Sequence, residues 1–594
     1  MTPQKKKYLG WALVLLLCFW LGNRMGAVYT AASGSLTERL LAALDIDKLL
    51  TPPLGLHLSP VFLLWGLCAA AVAGVVILWI EASRHKTMPG KEHGSARWGT
   101  PEDIKPFIAP EFENNVILTE TERLSMAGRM KYTLDDDYNR NKNVMVIGGS
   151  GSRKTRGVIK PNLLQMNCNY VITDPKGELL NDCGAALLQS GYKVKVFNLK
   201  ERDKSDHYNL FAYLHTEDDL LKIAKNLITN MKDDPGVKSN SDPIWDEGMT
   251  ALIEAIFGYV LFELPPAERN VNSAMRLFRL LQVQEDMPGY VSPLDIVFRE
   301  LSETKPDCFA LKQWEIYKMA APKTAQSINV SLGLRLSSFN IPSIGRIIED
   351  DTLTLTDFAT DQKVALFVVL PDTDRSFNFL AAVLYQQLFD MLALAADSRP
   401  DKRLPRHCRF LLDEFANIGQ IPGFQQLIAT IRSREISVMI VYQSFQQLKS
   451  QYKDDWGTIM DNCDSLLYLG GGQNPENLEL ITKLLGKQTI EAYNPSETTG
   501  SHGSYTKAYQ LLSRDLMTLD EVRTDKRGWC LLIISGLPPF HSRKYDLVQH
   551  PNYRLTADAD PANRWDETLR KEYDTQNFFA NVRSVTTISE LNDL

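Results

Sequence analysis

Cysteine and histidine, the residues that most often build metal centres, are scarce in this sequence. Eight cysteines and nine histidines occur among 594 residues. None of the cysteines forms a C-x-x-C pair, and no histidines flank them at the spacing of a zinc site. No Ser/His/Asp or Cys/His arrangement rises above background, so nucleophilic catalysis of those kinds is not predicted. We expect the cysteines to be reduced and metal-free.

An excess of positive charge is also absent. Lysine and arginine total 65 against 72 aspartates and glutamates, which gives a formal net charge of −7. This balance argues against a surface covered with nucleic-acid-binding cations, although it does not exclude a local basic lining. Low-complexity tracts and clear internal repeats are missing as well, and a chain of this length predicts three or four structural units.

Two long apolar runs lie near the N-terminus. The first, YLGWALVLLLCFWLG, has 15 residues without a charge before Asn23 and Arg24 interrupt it, and the second, at 61–80, has 20 uncharged residues. A helix of this length crosses ~30 Å of hydrocarbon. We expect two transmembrane helices, at about 8–29 and 61–80. A cleaved signal peptide is the alternative for the first run, but no small-residue cleavage site follows it cleanly.

The cations beside these runs predict their orientation. Three lysines at 5–7 precede the first run, and Arg-His-Lys at 84–86 follows the second. The loop between them, at about 30–58, holds only Arg39 and Lys48 as cations. By the positive-inside rule the loop is external and both ends are cytoplasmic. We therefore predict a multi-pass protein of the cell membrane with most of the chain in the cytosol.

Short β-rich runs alternate with helical stretches in the rest of the chain. NVMVIG at 143–148, NYVITD at 169–174 and YKVKVFNL at 192–199 are the first three. After a long interval the strands resume at 363–370, 407–414, 437–444 and 464–471. Alternation of this kind predicts a parallel sheet with both faces covered.

The interval between the two sets of strands, about 215–345, is mostly helical in pattern, with turns in DDPGVKSNSDP and ELPPAERN. One α/β fold split by a helical module is the economical architecture. The predicted organisation is a membrane anchor at 1–86, an α/β domain in two parts at 87–214 and 346–560, an all-α insertion at 215–345 and a C-terminal tail at 561–594.

GGSGSRKT follows the first strand and resembles a phosphate-binding loop with one unusual residue. The loop comprises Gly148, Gly149, Ser150, Gly151, Ser152, Arg153, Lys154 and Thr155. Its glycines allow close backbone approach to an anion, Lys154 is placed to reach the β and γ phosphates, and Thr155 to hold Mg²⁺. Arg153 stands where the pattern requires a glycine, which usually has a left-handed backbone, at a cost of about 1 kcal/mol for other residues. The alternative interpretation is a glycine-rich turn with a chance lysine.

Two acidic residues, Asp413 and Glu414, follow the apolar strand RFLL. Ligands bind at the carboxyl ends of strands in such sheets, so we expect Asp413 in the Mg²⁺ shell and Glu414 polarising the attacking water. Gln443, at the end of the next strand, is placed to sense the γ-phosphate. Arg432 or Arg434 could act on a neighbouring subunit's γ-phosphate. The alternatives are ordinary structural roles. The two acids could be solvated at a strand end, Gln443 could be a hydrogen-bonded polar residue, and the arginines could be ordinary surface residues.

Several longer motifs occur together with these features. They are HGSARWGT at 93–100, TDPKGE at 173–178, KTAQSI at 323–328, LLDEFANIGQIPGF at 411–424, VYQSFQQLK at 441–449 and DLMTLDEV at 515–522. With the two apolar runs, they make nearly the whole chain resemble the type IV coupling proteins, the TraG/VirD-type ATPases of conjugation. The chain is most similar to the branch carried by mobile elements of Firmicutes.

The resemblance implies an α/β RecA-like P-loop NTPase domain with an inserted all-α domain, preceded by two transmembrane helices. It implies a homo-oligomeric ring, a hexamer, anchored in the lipid bilayer. Such proteins deliver a relaxase with attached single-stranded DNA to the inner-membrane components of a type IV secretion channel. The matching positions are Lys154 and Thr155 for ATP and Mg²⁺, Asp413 and Glu414 for metal and hydrolysis, Gln443 as sensor and Arg432 as the finger. Arg153 departs from the family pattern and puts normal ATP turnover in question.

Two other functions compete with this interpretation. One is a chromosome-type DNA pump of the FtsK sort, against which HGSARWGT and the large helical insertion argue. The other is a receptor or adaptor that recruits protein substrates and hydrolyses little ATP, with Arg153 as the sign of a degraded site.

Overall fold

The computed structural model describes residues 3–51, 55–83, 91–126, 140–231, 243–281, 290–371, 374–498, 504–573 and 575. The chain divides into two compact units, Met1–Glu92 and His93–Leu594. Arg84, His85 and Lys86, which the sequence places beside the second apolar run, lie outside the described residues.

The first unit contains two long helices, α1 (Pro3–Ala31) and α4 (Pro60–Ala82), with the shorter α2 (Leu36–Ala43) and α3 (Ile46–Leu50) between them. Both predicted spans fall within the long helices. A Cβ on Gly22 would lie 2.5 Å from the Cβ of Ala69, and one on Gly66 would lie 2.7 Å from the carbonyl oxygen of Phe19. These two glycines therefore let α1 and α4 approach closely, as small residues do between helices in membranes.

The second unit is built on a sheet that has nine strands among the described residues. In chain order the strands of this unit are β1 (Asn115–Ile117), β2 (Arg123–Ser125), β3 (Val144–Ile147), β4 (Asn169–Asp174), β5 (Lys193–Asn198), β6 (Val364–Val369), β7 (Cys408–Leu412), β8 (Ile436–Tyr442), β9 (Ser465–Tyr468), β10 (Lys487–Thr498), β11 (Ser504–Asp515), β12 (Trp529–Ile534) and β13 (Phe540–Arg543). The large sheet has the order β13-β12-β9-β3-β8-β7-β4-β6-β5, and β1–β2 and β10–β11 form separate antiparallel pairs.

Seven adjacent strands of the large sheet, from β9 to β5, run parallel. They include all seven strands predicted from the sequence. The prediction of a purely parallel sheet is wrong at the other edge, where β12 pairs antiparallel with both β9 and β13. The short connection between β12 and β13 accounts for their direction, because parallel neighbours need a crossover of a dozen or more residues.

The helices of the second unit cover both faces of this sheet. They are α5 (Pro101–Ile104), α6 (Lys160–Leu164), α7 (Glu178–Gln189), α8 (Glu217–Asn230), α9 (Pro243–Glu263), α10 (Val271–Arg279), α11 (Pro293–Thr304), α12 (Phe309–Lys318), α13 (Pro322–Arg335), α14 (Pro342–Ile347), α15 (Asn378–Asp397), α16 (Phe424–Thr430), α17 (Phe445–Tyr452), α18 (Trp456–Asp461), α19 (Pro475–Leu485) and α20 (Leu519–Thr524). A single π-helical turn, Thr155–Ile159, leads into α6 just before Pro161.

In the part of the interval between β5 and β6 that the structure describes there are seven helices, α8 to α14, where the sequence predicts a helical module. Their buried side chains belong to the same hydrophobic core as one face of the sheet. The amide of Asn226 on α8, for example, donates to Gln386 Oε1 on α15 at 2.5 Å. The predicted linker at 233–243 lies outside the described residues except for Pro243.

Hydropathy and length qualify three described helices as candidate membrane spans: Lys7–Ala31, Pro60–Ala82 and Asn378–Asp397. The third is α15, which is mostly buried within the second unit. Its Phe389 ring stacks on Phe410 of β7 with centroids 3.9 Å apart, and the hydroxyl groups of Tyr385 and Thr173 are 2.6 Å apart. The apolar side chains of α15 are therefore buried in the core of the second unit itself.

Candidate nucleotide-binding site

The glycine-rich loop lies between β3 and the π-helical turn, at the carboxyl edge of the parallel strands. The amide of Gly148 donates to Tyr442 O at the end of β8, and that of Gly149 to Gly470 O beyond β9. A Cβ on Gly149 would lie 2.5 Å from Gly471 O. The absence of a side chain at this position therefore allows the loop to pack against the neighbouring strand end.

Arg153 has φ +69°, so the residue at the unusual position has the left-handed backbone that the expected glycine would provide. Its carbonyl accepts from the amide of Gly157 at 2.8 Å and begins the following helical turn. The side chain is exposed. The substitution thus leaves the loop conformation intact and strains one backbone position.

Replacing Arg153 with glycine is expected to raise the free energy of unfolding by up to about 1 kcal/mol, because glycine takes this conformation without a steric penalty. Thermal unfolding of the second unit measures the change. Lys402, exposed and at φ +54°, provides a control away from the loop, since Lys402→Gly should raise stability without changing turnover. A lower melting temperature for Arg153→Gly would show that contacts of the arginine side chain outweigh the strain.

Lys154 is buried and its amino group points back into the loop. It donates to Gly148 O at 2.9 Å and to Gly149 O at 3.0 Å. Burial lowers the pKa of Lys154, and the charges of Asp413 and Glu414 oppose that shift. The buried hydroxyl of Ser152 has no hydrogen-bond partner among the described residues. The loop therefore holds a cation and a free hydroxyl at the place where a phosphate group would lie.

The acidic pair lies directly opposite the loop. The Thr155 hydroxyl donates to Asp413 Oδ2 at 2.5 Å, although the two residues are 258 positions apart in the chain. Order within the sheet explains this contact, because β8 alone separates β3 from β7. The structure therefore brings together Lys154, Thr155 and Asp413, as the sequence predicts.

Asp413 is buried, and burial raises its pKa to about 6. The Thr155 hydroxyl bond and the Glu414 amide, which donates to Asp413 Oδ1 at 3.1 Å, favour the ionised form but do not cancel the cost of burial. A cation placed between Thr155 and Asp413 would remove that cost. The raised pKa therefore marks a carboxylate for which burial and the charge of Glu414 outweigh the charge of Lys154.

Replacing Asp413 with asparagine is expected to stabilise the nucleotide-free protein by roughly 1–3 kcal/mol at pH 8 while abolishing magnesium-dependent turnover. The folded carboxyl keeps its proton up to about pH 6, whereas an unfolded aspartate releases it near pH 3.9. The cost of ionisation thus develops as pH rises between these values, and the gain from asparagine should vanish near pH 4.

Denaturant unfolding at pH 8 and at pH 4 measures this difference. Asp397 is the matched control, because the Arg434 guanidinium holds its pKa below the usual range. Asp397→Asn should therefore change stability in the opposite direction at pH 8. A loss of stability in Asp413→Asn at pH 8 would contradict the assigned cause of the shift.

Glu414 and Gln443 lie at the same carboxyl edge of the sheet as the glycine-rich loop. Glu414 has a left-handed backbone, φ +48°, which turns the chain after β7. Its Oε2 accepts from the Asn417 amide at 2.9 Å, and its Oε1 lies 3.4 Å from Gln443 Nε2. The carboxylate is thus held between two side-chain amides beside the loop.

The two candidate finger arginines lie at the other end of β8. Arg434 donates to both carboxylate oxygens of Asp397, at 3.0 and 2.9 Å, whereas Arg432 is exposed. Gln443 follows the far end of the same strand, which separates it from Arg432 by roughly 25 Å at about 3.3 Å per residue. The structure does not bring Arg432 to the loop of its own chain.

The structure also reveals a residue that the sequence did not indicate. Lys544, just after β13, is buried and donates to Ser152 O at 3.2 Å and to Leu469 O at 2.7 Å. Burial lowers the pKa of Lys544, and the charge of Arg153 lowers it further. This lysine ties the loop to the antiparallel edge of the sheet. Because that edge was not predicted, nothing in the sequence placed Lys544 near the loop.

Comparison with known proteins agrees with this geometry. A sequence model of the family described as "Type IV secretory system Conjugative DNA transfer" matches residues 110–560. The conjugal transfer protein TraG of Escherichia coli is 23% identical over 84% of this chain and 83% of its own length. VirD4 of Rhizobium radiobacter is 23% identical over 67% of this chain, which spans 56% of that protein.

Among solved structures, the plasmid coupling protein TrwB in complex with the non-hydrolysable ATP analogue ADPNP is similar in fold. The TM-score is 0.54 at 14% identity, over 78% of this chain and 96% of that one. The family match covers well over half of the sequence. The chain therefore belongs to the type IV secretory system conjugative DNA transfer family.

Proposed function

We propose that this protein is a membrane-anchored coupling ATPase that recruits a relaxase–DNA complex and drives single-stranded DNA transfer through a type IV secretion channel. The observation that carries the proposal is the contact between Thr155 and Asp413 across the edge of the sheet. This contact completes a nucleotide-binding site in a chain whose family is that of conjugative DNA transfer. Its relatives are named conjugal transfer and VirD4 proteins.

The residues of the site suit ATP and Mg²⁺. Backbone amides, Ser152 and Lys154 surround the place for the β and γ phosphates, and the Thr155 hydroxyl and Asp413 carboxylate are oxygen ligands of the kind that Mg²⁺ prefers. When bound, Mg²⁺ neutralises charge on the phosphate oxygens. With ATP bound, Lys154 would contact the phosphates in place of the loop carbonyls, and Mg²⁺ held by Thr155 and Asp413 would keep the carboxylate ionised.

Glu414 and Gln443 position and activate water in this proposal. The Glu414 carboxylate accepts a proton from the attacking water as a general base. Asn417, at 2.9 Å from Oε2, fixes the carboxylate, and Gln443, beside Oε1, orients the water and senses the γ-phosphate. Arg432 is proposed to act in trans, because its exposed position away from its own loop suits contact with a neighbouring subunit in a hexameric ring.

We propose that α1 and α4 cross the cell membrane as a hairpin, with both termini and the second unit in the cytoplasm. The ion pair between Lys7 and Glu81 supports this topology, since it joins the N-terminal part of α1 to the last turn of α4. The three lysines at 5–7 place that end inside by the positive-inside rule. Channel components of the inner membrane are the proposed partners on this side.

The helical segment at 215–345 is proposed as the all-α domain that selects the relaxase, between the two parts of the motor at 87–214 and 346–560. The proposal rests on its position, since α8 to α14 lie outside the strands that build the nucleotide site. Assignment to the Firmicutes branch and the 561–594 tail remain predictions from the sequence.

Exchanging residues 215–345 for those of a relative is expected to switch the accepted relaxase without loss of ATP turnover. The physical reason is that the loop and the acidic pair lie outside the exchanged residues, and a relative that keeps the buried side chains of α8 to α14 preserves the core shared with the sheet. Mobilisation frequencies of two plasmids, each with its own relaxase, measure the switch. A chimera that hydrolyses ATP normally but keeps the original preference would refute the assignment.

An ATPase assay of residues 87–594, with and without single-stranded DNA, tests the proposed function. DNA-stimulated turnover supports the motor. Binding of nucleotide without turnover, restored by Arg153→Gly, would instead identify a low-turnover adaptor for protein substrates. Oligomeric state is measured in the same samples, so that a monomeric fragment is not mistaken for an inactive protein.

A further inference from the structure

The loop between α1 and α4 is held unusually close to the membrane-spanning helices. Arg24 in α1 is 2% exposed. Its guanidinium donates from Nε to Leu49 O at 2.9 Å and from Nη2 to Thr51 O at 2.6 Å. Asn23 exchanges two hydrogen bonds of 2.9 Å with the backbone of His57. The side chains that interrupt the first apolar run thus bind the backbone of the loop.

The position of Arg24 along α1 gives the depth of these contacts. It lies about 25 Å from Lys7 at about 1.5 Å per helical residue, and Lys7 is paired with Glu81 at the other end of the hairpin. The hydrocarbon layer is about 30 Å thick. The backbone at Leu49 and Thr51 therefore lies at or just inside the outer edge of the hydrocarbon, because its carbonyls bind Arg24.

The outer surface of the loop is apolar as well. On and between α2 and α3 the exposed side chains include Leu36, Leu40, Leu41, Leu44, Ile46 and Leu50. Leu41 is 70% exposed and Ile46 is 69% exposed. At the end of α4 that adjoins the loop, Val61 and Leu64 are exposed as well. Such a surface is unfavourable in water.

We propose that the described parts of this loop, 36–51 and 55–58, are embedded in the outer leaflet, with the exposed leucine and isoleucine side chains on and between α2 and α3 among lipid acyl chains and Arg24 as their tether. The occupant of this surface is lipid, because the contacts of Arg24 place the loop backbone at the depth where acyl chains begin. Charged side chains such as Asp47 and Lys48 face the headgroups. This inference rests on the proposed topology of α1 and α4.

Cysteine labelling of the full-length protein in intact cells tests the proposal. Ile46→Cys and Leu41→Cys report the apolar face, and Asp47→Cys is a matched control one residue from Ile46 and also exposed. A membrane-impermeant, hydrophilic maleimide should label Asp47→Cys at the rate of a free thiol and the other two at least tenfold more slowly. The unsubstituted protein supplies the background of Cys18 and Cys68, and denaturation shows that each introduced thiol can react.

Each other outcome overturns the inference in a distinguishable way. Equal labelling of all three positions would place the loop in water. Protection of Leu41→Cys only in cells that contain the secretion channel would identify a protein partner in place of lipid. Labelling of Asp47→Cys only in permeabilised cells would refute the topology itself. Arg24→Ala should raise labelling of Ile46→Cys at least tenfold, and unchanged protection would refute the tether.

Discussion

ATP turnover in the Glu414→Gln variant is expected to fall by roughly two to three orders of magnitude while nucleotide affinity stays within a few-fold of the original. Glutamine has the same shape and can still accept from the Asn417 amide, so the chain after β7 should keep its conformation. It cannot accept the proton of the attacking water. DNA transfer should therefore be abolished although the protein still binds ATP.

Steady-state turnover, binding of a fluorescent nucleotide and conjugation frequency measure the three parts of this prediction. Glu479, exposed on α19 and paired only loosely with Lys483 at 3.7 Å, is the matched control. Glu479→Gln should leave all three quantities unchanged. Wild-type transfer by Glu414→Gln would show that Glu414 is not the hydrolytic base.

The loss of Lys154 is expected to reduce ATP turnover as severely as Glu414→Gln does, but by weakening nucleotide binding, which precedes hydrolysis. In Lys154→Ala, nucleotide affinity should fall at least tenfold and turnover roughly 10²- to 10³-fold, because a preorganised cation facing the phosphates is removed. The loop carbonyls of Gly148 and Gly149 also lose the donor that now satisfies them.

Binding and DNA-stimulated turnover of residues 87–594 measure this effect, and the melting temperature shows whether the loop still folds. Lys483→Ala removes a lysine that is 76% exposed and serves as the control. Turnover in Lys154→Ala within a few-fold of the original would exclude this loop as the phosphate-binding element, even if the variant were less stable.

The two predictions differ in how they depend on the tertiary structure. The role of Lys154 follows from eight consecutive residues and their position after a strand, so it was available from the sequence. The role of Glu414 depends on its distance from that loop. The sequence predicted that the two segments lie together because both follow buried strands, and in the structure Thr155 contacts Asp413, the residue before Glu414.

Other features could not be predicted because they depend on strand order. The apolar run of β12 is visible in the sequence, but its position beside β9 and its antiparallel direction appear only in the strand order of the folded sheet. Lys544 reaches the phosphate loop only through that pairing. Similarly, α15 has the hydropathy of a membrane span. Only its packing against β7 in the structure shows that it belongs to the core of the second unit.

By itself, the sequence determined the seven parallel strands, the two N-terminal apolar helices and the residues proposed to contact phosphate and metal. These properties follow from hydrophobic periodicity, from run length and from side-chain chemistry, all of which are local. Tertiary structure decided that Lys544 supports the loop and that Arg24 binds the segment between α1 and α4. Each of these depends on contacts between segments far apart in the chain, whose geometry no local pattern specifies.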